Sequence, residues 1–284
     1  MSDRLAVLPQ YLLPKQALTA LMGRLANARA GWLTTWVIER FIARYKVDMA
    51  EAANPDPASY ETFNAFFTRS LRAGVRPQVQ APWVCPVDGA VSQLGPIAGD
   101  QIFQAKGHHY STQALVGGDS KLAAEFDDGH FATIYLSPRD YHRIHMPCDG
   151  KLREMVYVPG DLFSVNPVTA RGVPGLFARN ERVVCVFDSA AGPFVMVLVG
   201  ATIVGSMATV WHGQVNPPRS AEIRRWQYGQ DGQDGPLLRQ GEEMGRFLLG
   251  STVVLLFPKQ PLQFNVLWQA GSPVRLGEAM AQRS

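Results

Sequence analysis

Phe247-Leu248-Leu249-Gly250-Ser251-Thr252-Val253-Val254 lies near the C-terminal end of a 284-residue chain. Apolar residues crowd both sides of a Gly-Ser pair, and Val253–Phe257 has the composition of a buried strand. A hydroxyl inside such a run needs a partner. A hydrogen-bonded strand serine is the common explanation of so short a motif. A chemical use also fits: Oγ of Ser251 attacks the carbonyl of Gly250, its own preceding peptide bond. Glycine lacks a Cβ and so tolerates the strained backbone of so close an attack. The resulting ester can eliminate across the Cα–Cβ bond of Ser251, and the dehydroalanine left behind hydrolyses to a pyruvoyl group. That ketone would cap a new N-terminus and serve as an electron sink. Neither a metal nor pyridoxal phosphate is then called for.

Composition bounds the alternatives. The chain is long enough to bury a full core, and 46% hydrophobic with 18% charged residues is globular. Twenty-six Gly and twenty Pro favour a turn-rich β body over a helical bundle. Cys85, Cys148 and Cys185 have no metal-type spacing, and an odd number argues against a disulfide framework. No apolar stretch approaches a membrane span, and no cleavable signal pattern opens the sequence. A net charge of +3 disfavours nucleic acid as a partner. That charge is uneven, because residues 1–46 carry seven Lys/Arg against Asp3 and Glu39, which leaves the remainder slightly acidic.

The basic arm reads as two helices. Pro14 suits a first helical turn, and Leu18, Leu21, Met22 and Leu25 repeat at helical spacing. After Gly31, the run from Trp32 to Lys46 puts Leu33, Trp36, Val37, Phe41 and Tyr45 on one side and Arg40 and Arg44 on the other. Basic amphipathic helices with two Trp suit an interfacial membrane anchor. Helices packed on the β body would bury the same stripe. Beyond Asn54-Pro-Asp-Pro57, a third helix is expected from Ser59 as N-cap, with Phe63, Phe66, Phe67 and Leu71 inward.

From Cys85 onward the pattern changes to short strands and turns. An Asp-Gly turn is expected at Asp88–Gly89, where Asp88 could be only a turn former. Ala132–Leu136 reads as a strand leading into Ser137-Pro-Arg-Asp-Tyr-His-Arg-Ile-His145. His142 and His145 there could ligate a metal, but no third ligand sits at a recognisable spacing; core histidines or a general base are the other readings. Met155–Val158 reads as a strand, Pro159–Pro167 as turn-strand-turn, and Arg182–Phe187 with Phe194–Val199 as a hairpin pair. Ala201–Trp211 reads as a further strand, Gln227–Gly235 as a loop and Gly241–Gly245 as a turn. The 34 residues from Ser251 carry too few strands to fold alone and must stay docked if the bond before them breaks.

Seven blocks carry a resemblance. They are Phe63-Asn-Ala-Phe-Phe-Thr-Arg-Ser-Leu71, Pro86-Val-Asp-Gly89, Ser137 to His145, Pro159-Gly-Asp-Leu-Phe-Ser-Val-Asn166, Leu176-Phe-Ala-Arg-Asn-Glu-Arg182, Val199-Gly-Ala-Thr-Ile-Val-Gly-Ser206 and Phe247 to Thr252. In order, over residues 60–257, they resemble the bacterial phosphatidylserine decarboxylases, self-processing pyruvoyl enzymes. The resemblance implies an α+β fold: a predominantly β, sandwich-like body of antiparallel or mixed sheets at 76–284, and an N-terminal helical membrane-associating arm at 1–75. It also implies a relay of Asp88, His145 and Ser251. Cleavage between Gly250 and Ser251 would give a large β chain, 1–250, and a small α chain. These stay associated as a heterodimer, with a homodimer of heterodimers left open. His142 resembles the family's additional histidine at the substrate site. The implied substrate is phosphatidylserine, bound through a Schiff base to the ketone derived from Ser251. The implied location is the cytoplasmic face of the cell membrane, on an anionic surface.

Two rival classes remain. Asp88, His145 and Ser251 could form a serine hydrolase triad, although no Gly-x-Ser-x-Gly occurs. A non-enzymatic lipid-binding module would also use a basic arm, but not an aligned Asp, His and Gly-Ser. Both rivals leave the chain uncut. On a denaturing gel the purified protein is expected to separate into residues 1–250 and a blocked 34-residue fragment, and Ser251→Ala to stay in one piece. A single full-length band from the unmodified sequence would favour the rivals.

Overall fold

The computed structural model describes residues 3–202, 206–216, 219–229, 234–248 and 251–283, and of Arg4 and Ser251 the backbone alone. Ser251–Phe257 is a strand at the middle of the molecule. It pairs antiparallel with His130–Leu136 on one side and Gly192–Val199 on the other, so its peptide groups find partners in both directions. Its side chains alternate between two cores. Val254 and Leu256 enter one, and Val253, Leu255 and Phe257 enter the other. Burying these five residues is worth roughly 10 kcal/mol of apolar transfer before ordering entropy is charged against it.

The sheet around this strand has nine members. Its path runs Arg224–Gln227, Gly150–Val158, Arg182–Ser189, Gly192–Val199, Ser251–Phe257, His130–Leu136, Gly89–Pro96, Pro273–Val274, with Leu237–Leu238 beside Gly150–Val158. Helices and loops cover one face, through Ile38, Phe66, Phe67, Leu115, Phe126 and Phe177. Two smaller sheets cover the other. One has four strands (Gly213–Asn216, Met207–Thr209, Glu243–Phe247, Arg143–His145); the other has three (Trp83–Val84, Ala279–Gln282, Gln263–Phe264). The fold is α+β with a mainly β, sandwich-like body, as the sequence implied, and its strand ladders are antiparallel.

Several elements differ from expectation, each for a local reason. The arm holds three helices rather than two: α1 (Asp3–Leu12), α2 (Lys15–Ala26) and α3 (Trp32–Tyr45). Pro9 inside α1 removes a backbone donor and hides the helix from pattern reading. Tertiary contacts compensate. Val7 is buried, Gln10 donates to Thr169 Oγ1 at 3.1 Å, and the Ser164 N–H donates to Gln10 Oε1 at 2.9 Å. Helix α4 spans only Phe63–Phe67, and Thr62 is its N-cap, accepting from the Ala65 N–H at 3.0 Å. Ser59 belongs instead to a 3₁₀ turn capped by Asp56.

No strand forms at Pro159–Pro167 beyond one isolated bridge, Asp161 with Asn180. The strand expected across Ala201–Trp211 is confined to Met207–Thr209 among the described residues; Ile203–Gly205 lie outside them. Glu243–Gly245 is strand rather than turn. Gly89 opens a strand because its backbone passes so near the Tyr135 carbonyl that a Cβ would sit 2.4 Å from that oxygen. Only glycine fits there.

Candidate active site

The strand Ser251–Phe257 continues a longer antiparallel run. Ser251 pairs with Leu136, the Phe247 N–H donates to the His142 carbonyl at 3.0 Å, and Glu243 pairs with His145. The segment 136–145 thus runs alongside the described residues 243–247 and 251, from the large sheet to the four-stranded one. On the other side of Leu136, Ala90 pairs with Tyr135, so Asp88 and Gly89 come to the same end of the sheet. Asp88 and Ser251 are therefore about two strand spacings apart, ~10 Å. Gly250 and the Ser251 side chain lie outside the described residues, and the backbone of Ser251 fixes where the pair enters the sheet.

His142 is fully buried. Its ring lies against Phe67 of α4, with centroids 4.1 Å apart. Nδ1 sits 2.8 Å from the Asp140 carbonyl, which can only accept, so Nδ1 carries the proton. Nε2 is then the basic nitrogen, and it is buried with no partner among the described residues. Burial pushes this imidazole down to about 3, the Asp140 carbonyl opposes that, and the Arg69 cation adds to it. Arg69 is buried as well. Its Nη2 donates to the Arg139 carbonyl at 3.2 Å and its guanidinium covers the Phe66 ring.

His145 is held differently. Nδ1 donates to the Gly241 carbonyl at 2.8 Å, and Nε2 accepts from the Tyr141 hydroxyl at 3.1 Å. Gly241 can present its carbonyl this way because its φ of +81° suits glycine, and a Cβ there would collide with Gln78. Burial lowers the His145 pKa, while the Gly241 carbonyl and the charges of Glu243 and Asp88 resist that shift. The Tyr141 hydroxyl is pushed up to about 12 by burial, so at neutral pH it stays a donor.

Asp88 does not orient the imidazole by a hydrogen bond in this structure. Its carboxylate takes Arg76 Nε at 2.9 and 3.1 Å, Arg76 Nη2 at 2.6 Å and the Leu276 N–H at 2.9 Å. Arg76 also donates to Glu51 at 2.6 Å, making a carboxylate–guanidinium–carboxylate cluster. The Gly241 carbonyl has taken the place expected for Asp88, and Asp88 acts on His145 through its charge alone. Backbone ties still keep the two near each other, since the His145 N–H donates to the Pro86 carbonyl at 2.9 Å.

Sequence reading missed Arg76, Glu51 and Gly241, which stand in irregular segments without periodicity. Tyr141 was inside a quoted block, four residues before His145, but nothing marked its role. No group of three or more His, Cys, Asp or Glu that could hold a metal ion occurs among the described residues.

The imidazole at 142 gives a pH signature. Between the ordinary histidine value of 6.5 and about 3, the unfolded chain binds a proton that the folded chain does not. Stability should therefore be complete above pH 6.5 and fall as pH drops through that window, by at most ~1.4 kcal/mol per pH unit from this group. His142→Gln is expected to flatten the melting temperature against pH between 6 and 4. An unchanged slope would mean that residue 142 is not buried neutral.

Comparison with known sequences shows the family. The family profile for phosphatidylserine decarboxylase matches residues 63–282, and a second profile, PSD, matches residues 5–46. The chain is 73% identical over 284 residues to the phosphatidylserine decarboxylase proenzyme of Albidiferax ferrireducens, covering 100% of this chain and 99% of that one. It is 74% identical over 283 residues to the proenzyme of the same name from Acidovorax ebreus, with 100% and 99% covered. The chain belongs to the phosphatidylserine decarboxylase family.

Proposed function

We propose that this chain cuts itself between Gly250 and Ser251 and then, as a two-chain enzyme, converts phosphatidylserine to phosphatidylethanolamine and carbon dioxide. The observation that carries this reading is the buried, neutral His142. Its basic Nε2 has no partner among the described residues, and its backbone is tied to Phe247 just before the Gly-Ser pair. The relatives' name, proenzyme, supports a processed form. Family membership also weighs against a serine hydrolase and a non-catalytic lipid module.

In processing, His145 is the base. Its Nδ1 proton is fixed on Gly241, which leaves Nε2 to accept the Ser251 hydroxyl proton once Tyr141 yields it. Asp88 favours the imidazolium that results. A direct Asp88–His145 bond would require the Arg76 pair to open. The pyruvoyl group, once formed from Ser251, would supply the electron sink for the pair left on the α-carbon when carbon dioxide departs. His142 handles the proton of that second reaction. A substrate carboxylate beside it raises the proton affinity of Nε2. The nitrogen can then take a proton and return it to the carbon that has lost carbon dioxide. The two chains remain associated because the small one supplies the central strand and the Leu276 N–H that Asp88 accepts.

Borohydride reduction in the presence of phosphatidylserine is expected to fix lipid to the 251–284 fragment alone. His142→Ala should still self-cleave and lose about 100-fold or more in turnover. Lipid fixed to the large chain would overturn the assignment, as would full turnover by that variant.

The arm supports a peripheral site on the cytoplasmic face of the membrane. Trp32 is 78% exposed and Leu12 88%, and Leu8, Leu21, Leu25, Leu33 and Trp36 are also exposed on the first three helices. Among the described residues, no helix is long and apolar enough to cross a membrane. Val7 and Ile38 are core residues, so removing the whole arm would damage the fold as well as the surface. Trp32→Ser with Trp36→Ser is the cleaner test: binding to anionic vesicles should fall several-fold while self-cleavage holds. Unchanged vesicle binding would move the anchor elsewhere.

A further inference from the structure

Between α2 and the β body lies a cavity of about 530 Å³. Arg24 of α2, Asn27 at its C-cap, Asn64 of α4, Ser206, Arg219 and Leu248 are on its wall. It joins two parts of the molecule that a membrane-borne substrate must connect. On the outer side, Leu21 and Leu25 of α2 are more than half exposed. On the inner side, the Leu248 N–H donates to the Ser206 carbonyl at 3.0 Å, and Leu248 is three residues before Ser251, at most ~11 Å of chain.

The wall has a defined polarity. Arg219 is held in place by buried Glu181, whose Oε2 accepts from Arg219 Nε at 3.0 Å and from the Tyr157 hydroxyl at 2.9 Å. Arg24 adds a second guanidinium, so with Glu181 behind Arg219 the site has a formal excess of one positive charge. Asn27 Nδ2 donates to the Gly23 carbonyl at 2.9 Å, which leaves Asn27 Oδ1 to accept from Asn64 Nδ2 at 2.8 Å. That chain of bonds makes Asn64 Oδ1 an acceptor, and it is buried without a donor among the described residues.

Two cations and one acceptor complement a group with two anions and one ammonium. Resting on the decarboxylase reading above, we propose that this cavity holds the phosphoserine headgroup of the substrate. Arg24 and Arg219 serve its phosphodiester and carboxylate, and Asn64 its ammonium, before the amine reaches residue 251. The headgroup's net charge of −1 matches the excess of the site. The acyl chains stay with the exposed apolar side of α2.

The test uses the mature enzyme and dihexanoyl phosphatidylserine below its micelle concentration, so that membrane attraction of the arm plays no part. Arg24→Gln is expected to raise KM about tenfold, with kcat within about twofold and self-cleavage complete. Arg24→Lys should recover most of the loss. O-Phospho-L-serine should compete with substrate in the wild type and more weakly in Arg24→Gln, and phosphoethanolamine, which lacks the carboxylate, should compete less well. An unchanged KM in Arg24→Gln, or a kcat loss at constant KM, would overturn the cavity assignment alone. A wild-type enzyme that cleaves itself but releases no carbon dioxide from the lipid would overturn the decarboxylase reading instead.

Discussion

Pairing of Ser251–Phe257 on both sides is the constraint from which the rest follows. Its ladders to His130–Leu136 and Gly192–Val199 run nearly its whole length, and its side chains feed the cores on both faces of the large sheet. A peptide bond broken just before the first residue of such a strand would leave the ladder from Thr252 to Phe257 in place. The chain beyond this strand is tied in the same way, with Pro273–Val274 on Gly89–Pro96 and Ala279–Gln282 on Trp83–Val84. Rigidity of this strand is thus compatible with the cut proposed before it.

The charged groups near that end are arranged for position more than for stability. Asp88 and Arg76 are both nearly buried, and a buried ion pair repays its desolvation only with good geometry and further hydrogen bonds. Here the geometry is bidentate, Glu51 takes the remaining face of the guanidinium, and Asp88 accepts the Leu276 N–H. The cluster therefore joins the segment around residue 76, the start of a large-sheet strand and the segment around Leu276. Removing Asp88 would disturb this clamp as well as the electrostatics of His145, and the two consequences share one residue.

The histidines show how equal residues acquire different duties. His142 and His145 are three apart, and both use Nδ1 to donate to a backbone carbonyl. Their Nε2 atoms differ: that of His145 meets Tyr141, while that of His142 meets no donor or acceptor among the described residues. Contact with the tilted Phe67 ring and the nearby Arg69 deepen the second environment. A carbonyl partner fixes each tautomer without adding a charge, and burial is what favours the neutral form of both imidazoles.

Much of this was readable from the chain. Continuous apolar runs such as Val253–Phe257 and Val195–Val199 announce strands covered on both faces, because each residue must be apolar whichever way it points. Helix α3 was visible from its spacing, and the family blocks singled out Asp88, His142, His145 and Ser251. Other features depended on contacts between distant segments. Helix α1 contains a proline and is held by Thr169 and Ser164, more than 150 residues away. The apolar stripe of α2 and α3 does not say which side meets the body; packing buries Ile38 and leaves Trp32 and Trp36 outside. Local sequence determined residue types, strand identity and the candidate chemistry, since those follow from periodicity and side-chain functional groups. Tertiary structure alone decided that Arg76 takes Asp88 and that Gly241 takes His145, because hydrogen-bond partners are set by which backbones the sheets bring together, and no spacing in one segment encodes that.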